Sequence, residues 1–210
     1  MHCNISRFHP KMGFGKKISI STGACRMRLF TGISLPSDIR DNLKRLLDRL
    51  RPLAPVKWSA VDNLHITTKF IGEWPAEHLD ELIAVLRDVP PCGPIRIAIR
   101  GLGWFPNARS PRVFWAGVDA PVALVDFVAA TDKAVARIGA PEEARPFSPH
   151  LTLARIKGPG RLSALRQAVA NLTSDDFGEF VADRFYLYLS ELRPSGPLYT
   201  RVAEFTLNRT

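Results

Sequence analysis

His65-Ile66-Thr67-Thr68 and, 85 residues further on, His150-Leu151-Thr152-Leu153 share the form His-x-Thr-x. Both lie in apolar, β-branched stretches that read as strands, and a strand sends alternate side chains to opposite faces. His65 and Thr67 therefore share one face, and so do His150 and Thr152. Each tetrad offers a group that can carry a proton beside a hydroxyl. Two of them facing each other supply an acid, a base and two hydroxyl donors, an inventory for phosphoryl chemistry that needs no metal. Taken alone, either tetrad is more readily a half-buried strand with its polar residues turned to solvent.

The surroundings of the two copies match. After His65 the chain runs through Phe70-Ile71-Gly72 to a helix expected to open near Ala76; after His150 it runs through Ile156-Lys157-Gly158 to one expected near Arg161. Each run is eleven residues long, and such self-similarity marks an internal duplication. Around the tetrads, a strand over 27–33 precedes a helix over 37–50, capped by Ser37, with Ile39, Leu43, Leu46, Leu47 and Leu50 on one face. The first tetrad strand spans 64–71. A helix carrying Leu79, Leu82, Ile83 and Leu86 follows and stops at Pro90-Pro91. Strands near 94–101 and 112–118, a helix over 121–138 ending at Gly139, the tetrad strand 150–156, a helix with Leu162, Leu165, Val169 and Leu172, and strands near 179–190 and 200–207 complete the chain. This mixture reads as α+β with mainly antiparallel sheets flanked by helices. The duplication predicts two pseudo-twofold lobes, with the active site in the groove between them.

Composition narrows the classes. At 210 residues and 46% hydrophobic, the chain can bury a full core. No apolar run reaches the ~18 residues of a membrane span. Three scattered cysteines (Cys3, Cys25, Cys92) argue against a disulfide framework and against zinc, and suit a reducing, cytoplasmic setting. The formal charge of +9 suggests a nucleic-acid partner until it is divided. Arg7, Lys11, Lys16, Lys17 and Arg26 lie in an acid-free leader, residues 1–26, which is expected to be disordered. Without them 24 basic residues face 20 acidic ones, so charge gives little support to a polyanionic partner.

The stretches Asn63-Leu64-His65-Ile66-Thr67-Thr68-Lys69-Phe70-Ile71-Gly72 and Pro149-His150-Leu151-Thr152-Leu153-Ala154-Arg155 resemble those of the 2H phosphoesterase superfamily. Within it the chain is similar to the bacterial and archaeal RNA 2′,3′-cyclic phosphodiesterases, historically called 2′-5′ RNA ligases. The likeness covers residues 27–207, and includes the opening at 27–35, the strand Arg112-Val113-Phe114-Trp115-Ala116-Gly117-Val118 and the ending Gly196-Pro197-Leu198-Tyr199. It implies a bilobal fold over 27–207 and hydrolysis of an RNA 2′,3′-cyclic phosphate to a 2′-phosphate end. It implies His65 as proton donor and His150 as proton acceptor, with Thr67 and Thr152 on the phosphate. Thr68 departs from the resemblance, which places an apolar residue there.

Histidine suits both tasks because its ordinary pKa of ~6.5 keeps either form within reach near neutrality. Further candidates for substrate contact are Lys69, on an ideal strand the same-face neighbour of Thr67; Phe147, which precedes the second tetrad; and Arg155, which an ideal strand points away from His150. Core packing is the favoured role for Phe147 and for Trp58. No cofactor and no metal are expected, and a monomer acting on RNA or a nucleotide with a cyclic phosphate is. Three alternatives use the same chain: a phosphodiesterase on small cyclic or 2′,5′-linked nucleotides, or the reverse ligation; a non-catalytic RNA-binding module; and a metal hydrolase, for which the two histidines lack a carboxylate at ligand spacing.

Overall fold

A computed structural model describes residues 25–158, 161–194 and 196–208. The basic leader falls, but for its last two residues, outside them. Two antiparallel sheets organise the chain. The first has strand order β3-β1-β8-β9, built from β1 (Arg26–Ser34), β3 (His65–Pro75), β8 (Arg184–Arg193) and β9 (Gly196–Thr206). The second has order β2-β6-β5-β4-β7, built from β2 (Lys57–Trp58), β4 (Ile95–Phe105), β5 (Val113–Asp119), β6 (His150–Arg155) and β7 (Asp176–Ala182). The unit strand-helix-strand-helix occurs twice. In the first copy α1 (Ser37–Leu50) and α2 (Leu79–Arg87) follow β1 and β3; in the second α3 (Val122–Ala136) and α4 (Ser163–Ala170) follow β5 and β6. Each copy then passes a strand to the other lobe, β4 lying beside β5 and β8 beside β1. The exchange ties the lobes together.

Why these elements form is largely a matter of periodicity. Ile39, Leu43, Leu46, Leu47 and Leu50 recur at helical spacing and are all buried in α1. Pro36, not Ser37, stands at its N-cap, and Ser37 is the first helical residue. In β1 the alternation of Leu29, Thr31 and Ile33 buries one face under the helices, while Phe30 and Gly32 take the other. One continuous apolar core runs through both lobes, from Leu29 and Leu43 to Leu151 and Leu165. A second, smaller cluster of Phe30, Tyr186 and Tyr188, with Tyr199 against it, covers the opposite face of the first sheet.

Some expectations shift. The helix after β3 begins with a 3₁₀ turn over Ala76–His78, so its α-helical part starts at Leu79; that after β6 starts at Ser163. The strand expected at 179–190 is two strands in two sheets, because the chain leaves the second sheet after Ala182 and enters the first at Arg184. The last strand opens at Gly196, which pairs with Arg193. Against the expectation of a reduced set, Cys25 is disulfide-bonded, while Cys92 is a free thiol. No helix among the described residues is long and apolar enough to cross a membrane.

Candidate active site

The two tetrad strands meet at the seam between the sheets. β3 is the edge of the first sheet and lies against β6 without pairing to it. His65 and His150 therefore face one seam from opposite lobes, close enough that a charge on His150 opposes protonation of His65.

Each histidine is held the same way. His65 Nδ1 lies 2.7 Å from the carbonyl oxygen of Asn63, and His150 Nδ1 lies 2.8 Å from that of Ser148. A carbonyl only accepts, so Nδ1 carries the proton in both rings and Nε2 is the nitrogen left for chemistry. Neutral, each Nε2 offers a lone pair; protonated, it offers an N–H. Asn63 is itself tied down, its Nδ2 donating to Pro197 O at 2.8 Å.

The environments differ more than the tethers. His65 stacks on Phe30 with ring centroids 4.7 Å apart and meets the Tyr199 ring edge-on at 5.2 Å. Phe30 in turn stacks on Tyr188 at 5.0 Å. Burial, foremost, pushes the His65 imidazole down to about 4; the Asn63 bond works the other way, and the charges of Arg155 and His150 add to burial. His150 meets Phe105 edge-on at 5.0 Å and is also held below its ordinary value, by burial first and by Arg155 last. Held below the ordinary ~6.5, both rings favour the neutral form near pH 7.

Gly32 stands opposite Thr67, and a Cβ there would come within 2.8 Å of Ile66 O and 3.3 Å of His65 Cδ2. Only glycine lets β1 pass this close beneath the His65 ring. In the second lobe the residue opposite Thr152 is Trp115, whose ring covers Gly103 so closely that a Cβ there would lie 2.1 Å from it.

A β-bulge, repeated in both lobes, decides which further residues reach the seam. In the first lobe Gly32 pairs with Thr67 and Thr31 with Lys69, leaving Thr68 as the extra residue. In the second, Trp115 pairs with Thr152 and Phe114 with Ala154, leaving Leu153. A bulge of one residue reverses the alternation beyond it. Lys69 is thus turned to the core face, only 5% exposed, which corrects its expected place: it does not share the face of His65 and Thr67. It pairs there with Asp132 of α3 and donates to Pro141 O, while the Asp132 carboxylate accepts the Glu143 N–H at 3.3 Å. The same reversal brings Arg155 to the seam, against its ideal-strand orientation. Its charge acts on His65, His150 and Tyr199 together.

Thr68, the residue out of keeping with the resemblance, is buried and shares a 2.7 Å hydrogen bond with the Thr31 hydroxyl. The pair satisfies two polar groups that would otherwise be stranded in the core. Phe147 and Trp58 pack against the main core, and Trp58 Nε1 donates to Ala54 O at 3.1 Å. Thr67 and Thr152 are half-buried beside their histidines. Sequence reasoning missed Phe30, Gly32, Phe105 and Tyr188, because they come from strands remote from either tetrad. The surface hollows bounded by Pro91, Cys92 and Asn208 and by Lys133, Arg137 and Glu142 contain none of these residues.

Known proteins resemble this chain along most of its length. The family described as LigT like phosphoesterase matches residues 33–115 and again residues 118–199, so each half contains one tetrad. An RNA 2′,3′-cyclic phosphodiesterase of Methanothermobacter thermautotrophicus is 35% identical over 184 residues, 87% of this chain and 100% of that protein. One from Thermus thermophilus is 33% identical, covering 86% and 90%. Among solved structures, a Thermus thermophilus protein superposes with a TM-score of 0.73 at 33% identity, covering 86% of this chain and 98% of that one. Escherichia coli LigT complexed with 3′-AMP does so at 0.71 and 26%, covering 88% and 99%.

Proposed function

The chain belongs to the LigT like phosphoesterase family, and from this premise we propose that it hydrolyses RNA 2′,3′-cyclic phosphate ends to 2′-phosphomonoesters, with His65 and His150 as acid and base. The observation that carries the mechanism is the matched pair of Nδ1–carbonyl bonds, which leaves two Nε2 atoms facing one seam. Relatives named RNA 2′,3′-cyclic phosphodiesterase, at full length and a third identity, support the substrate class. A relative solved with 3′-AMP supports a nucleotide as occupant.

The order of the steps follows the roles that the family resemblance implies. Neutral His150 takes a proton from water through Nε2 as the water oxygen bonds to phosphorus. Protonated His65 gives its Nε2 proton to the 3′ oxygen as the P–O3′ bond breaks. Thr67 and Thr152 donate to the non-bridging oxygens, and Arg155 offsets their charge. Burial makes His65 hard to protonate. The bound phosphodiester supplies the missing negative charge: it offsets the effect of Arg155 and raises the His65 pKa, so that substrate arms the acid. Activity then follows a bell-shaped pH curve.

Incubating the protein with a cyclic-phosphate-ended RNA in EDTA tests the proposal. Conversion to a 2′-phosphate end supports it. A 3′-phosphate end refutes the assigned direction of ring opening, and no conversion in EDTA with recovery on adding metal refutes the metal-free scheme.

A further inference from the structure

The ring that meets His65 edge-on comes from the far side of its sheet. Tyr199 lies on β9, and the order β3-β1-β8-β9 would put β9 three strand spacings, about 14 Å, from β3 in a flat sheet. The Tyr199 and His65 ring centroids are nevertheless 5.2 Å apart. Two features allow the approach. Among the described residues β1 pairs with β8 only over residues 29–32, so residues 190–193 and 196–199 pair with each other alone, as a two-stranded ribbon. Below the ribbon the β8–β9 register shifts between Leu187 and Tyr188, a bulge that bends the pair. The ribbon thus folds back across the face that carries His65.

A two-stranded ribbon is marginal by itself, and among the described residues a single hydrogen bond joins this one to the segment before β3. Asn63 Nδ2 donates to Pro197 O at 2.8 Å, two residues before Tyr199. The backbone carbonyl of the same Asn63 accepts the His65 Nδ1–H at 2.7 Å. Asn63 ends a 3₁₀ turn, Val61–Asn63, in which Asn63 N donates to Ala60 O and Leu64 N to Val61 O, both at 3.0 Å. One fixed residue therefore holds the His65 ring with its carbonyl and, with its amide, the strand whose tyrosine meets that ring. The second lobe has no such need. Phe105, edge-on to His150, stands opposite Val113, and Val113 opposite Arg155 of β6, so ordinary strand pairing delivers it.

We infer that Asn63 is a positioning residue, which latches the β8–β9 ribbon over His65 through Tyr199 while its carbonyl fixes the tautomer of the ring. Closed, the ribbon keeps water from His65; released, it exposes the imidazole. Around that ring the charged and titratable groups are His150 and Arg155 of β6, Tyr188 of β8 and Tyr199 of β9, with Arg28 of β1 beyond Tyr199. Both β6 groups oppose a proton on His65. Losing the latch leaves their charges in place and changes the solvation of the ring. The consequence for turnover rests on the proposed role of His65 as acid; the consequence for its titration does not.

Nuclear magnetic resonance titration of the imidazoles tests the latch. In the wild type His65 is expected to take its proton at about 4. Asn63→Ala keeps the carbonyl and loses the amide, so the His65 midpoint should rise past about 5, toward the ordinary ~6.5, with that of His150 unmoved. Amide exchange at Leu198 and Tyr199 should quicken by roughly two- to tenfold, the net contribution of one hydrogen bond. Tyr199→Leu should raise the His65 midpoint in the same way, and Tyr199→Phe, which keeps the ring, should leave it in place. Asn63→Ala added to Tyr199→Leu should move it no further, because the latch acts through the tyrosine. An unmoved His65 midpoint in Asn63→Ala or in Tyr199→Leu, or a further rise in the double variant, overturns the latch. The expected shifts in a protein that turns over no cyclic-phosphate RNA leave the latch standing and sink the reaction alone.

Discussion

The two lobes repeat one backbone plan and fill it differently. Each has a tetrad histidine tethered through Nδ1 to the carbonyl two residues back, a threonine, one skipped residue and a reversal of faces. Yet the inward position after the bulge is Lys69 in one and Ala154 in the other, and the outward one is Phe70 in one and Arg155 in the other. Opposite the threonines, Gly32 answers to Trp115, while on the next strand over Tyr186 answers to Gly103, so large and small are exchanged. The shared backbone sets where groups stand. The different occupants polarise the site, with a deeply buried ring in the first lobe and a cation in the second. Two chemically identical imidazoles can then take opposite roles.

The strongest way to break the comparison is to remove either ring. His65→Ala and His150→Ala should each lose ~10²-fold or more in turnover of cyclic-phosphate RNA. A large loss from one and not the other would mean that the lobes do not share one reaction. The next effect separates the two cations. Lys69→Met strands the Asp132 carboxylate against the core and should cost about 3 kcal/mol in urea unfolding, without moving the pH profile. If it instead raises KM at unchanged stability, Lys69 reaches substrate and the bulge assignment is wrong.

Arg155→Gln is the converse: exposed, it should shift stability by no more than about 0.5 kcal/mol yet lower kcat/KM by ~10-fold or more. Because the Arg155 charge depresses both histidines, its removal should move the kcat/KM bell toward higher pH. An unmoved bell would place Arg155 outside the seam. The smallest effect lies in the wild type itself. With both imidazoles held below the ordinary value, the kcat/KM optimum should fall on the acid side of ~6.5. Bound substrate raises His65, so the kcat optimum should lie higher, and coincident optima would contradict the arming of the acid by substrate.

Much of this site was legible from residues alone, and what was not has a definite cause. His65, Thr67, His150 and Thr152 stood out because a period of two places His and Thr together over so short a span. The same alternation, carried past the threonines, misplaced Lys69 two residues on and Arg155 three residues on. A bulge depends on the register of the partner strand, and neither tetrad encodes that register locally. Helix faces such as Ile39-Leu43-Leu47 were readable because they need no partner to define them. The break at Asp183 was not, since an apolar run looks the same whether it stays in one sheet or crosses to another. The aromatic surround of His65 comes from β1, β8 and β9, brought together only by the strand exchange.

The division of roles is the central claim, and a substrate with sulfur in place of the bridging 3′ oxygen tests it most directly. A thiolate leaves without help from an acid, whereas the attacking water still needs a base. On this substrate His65→Ala should recover most of its lost rate and His150→Ala should not. Rescue of His150→Ala instead, or of both variants alike, would contradict the assignment of His65 as proton donor and His150 as proton acceptor.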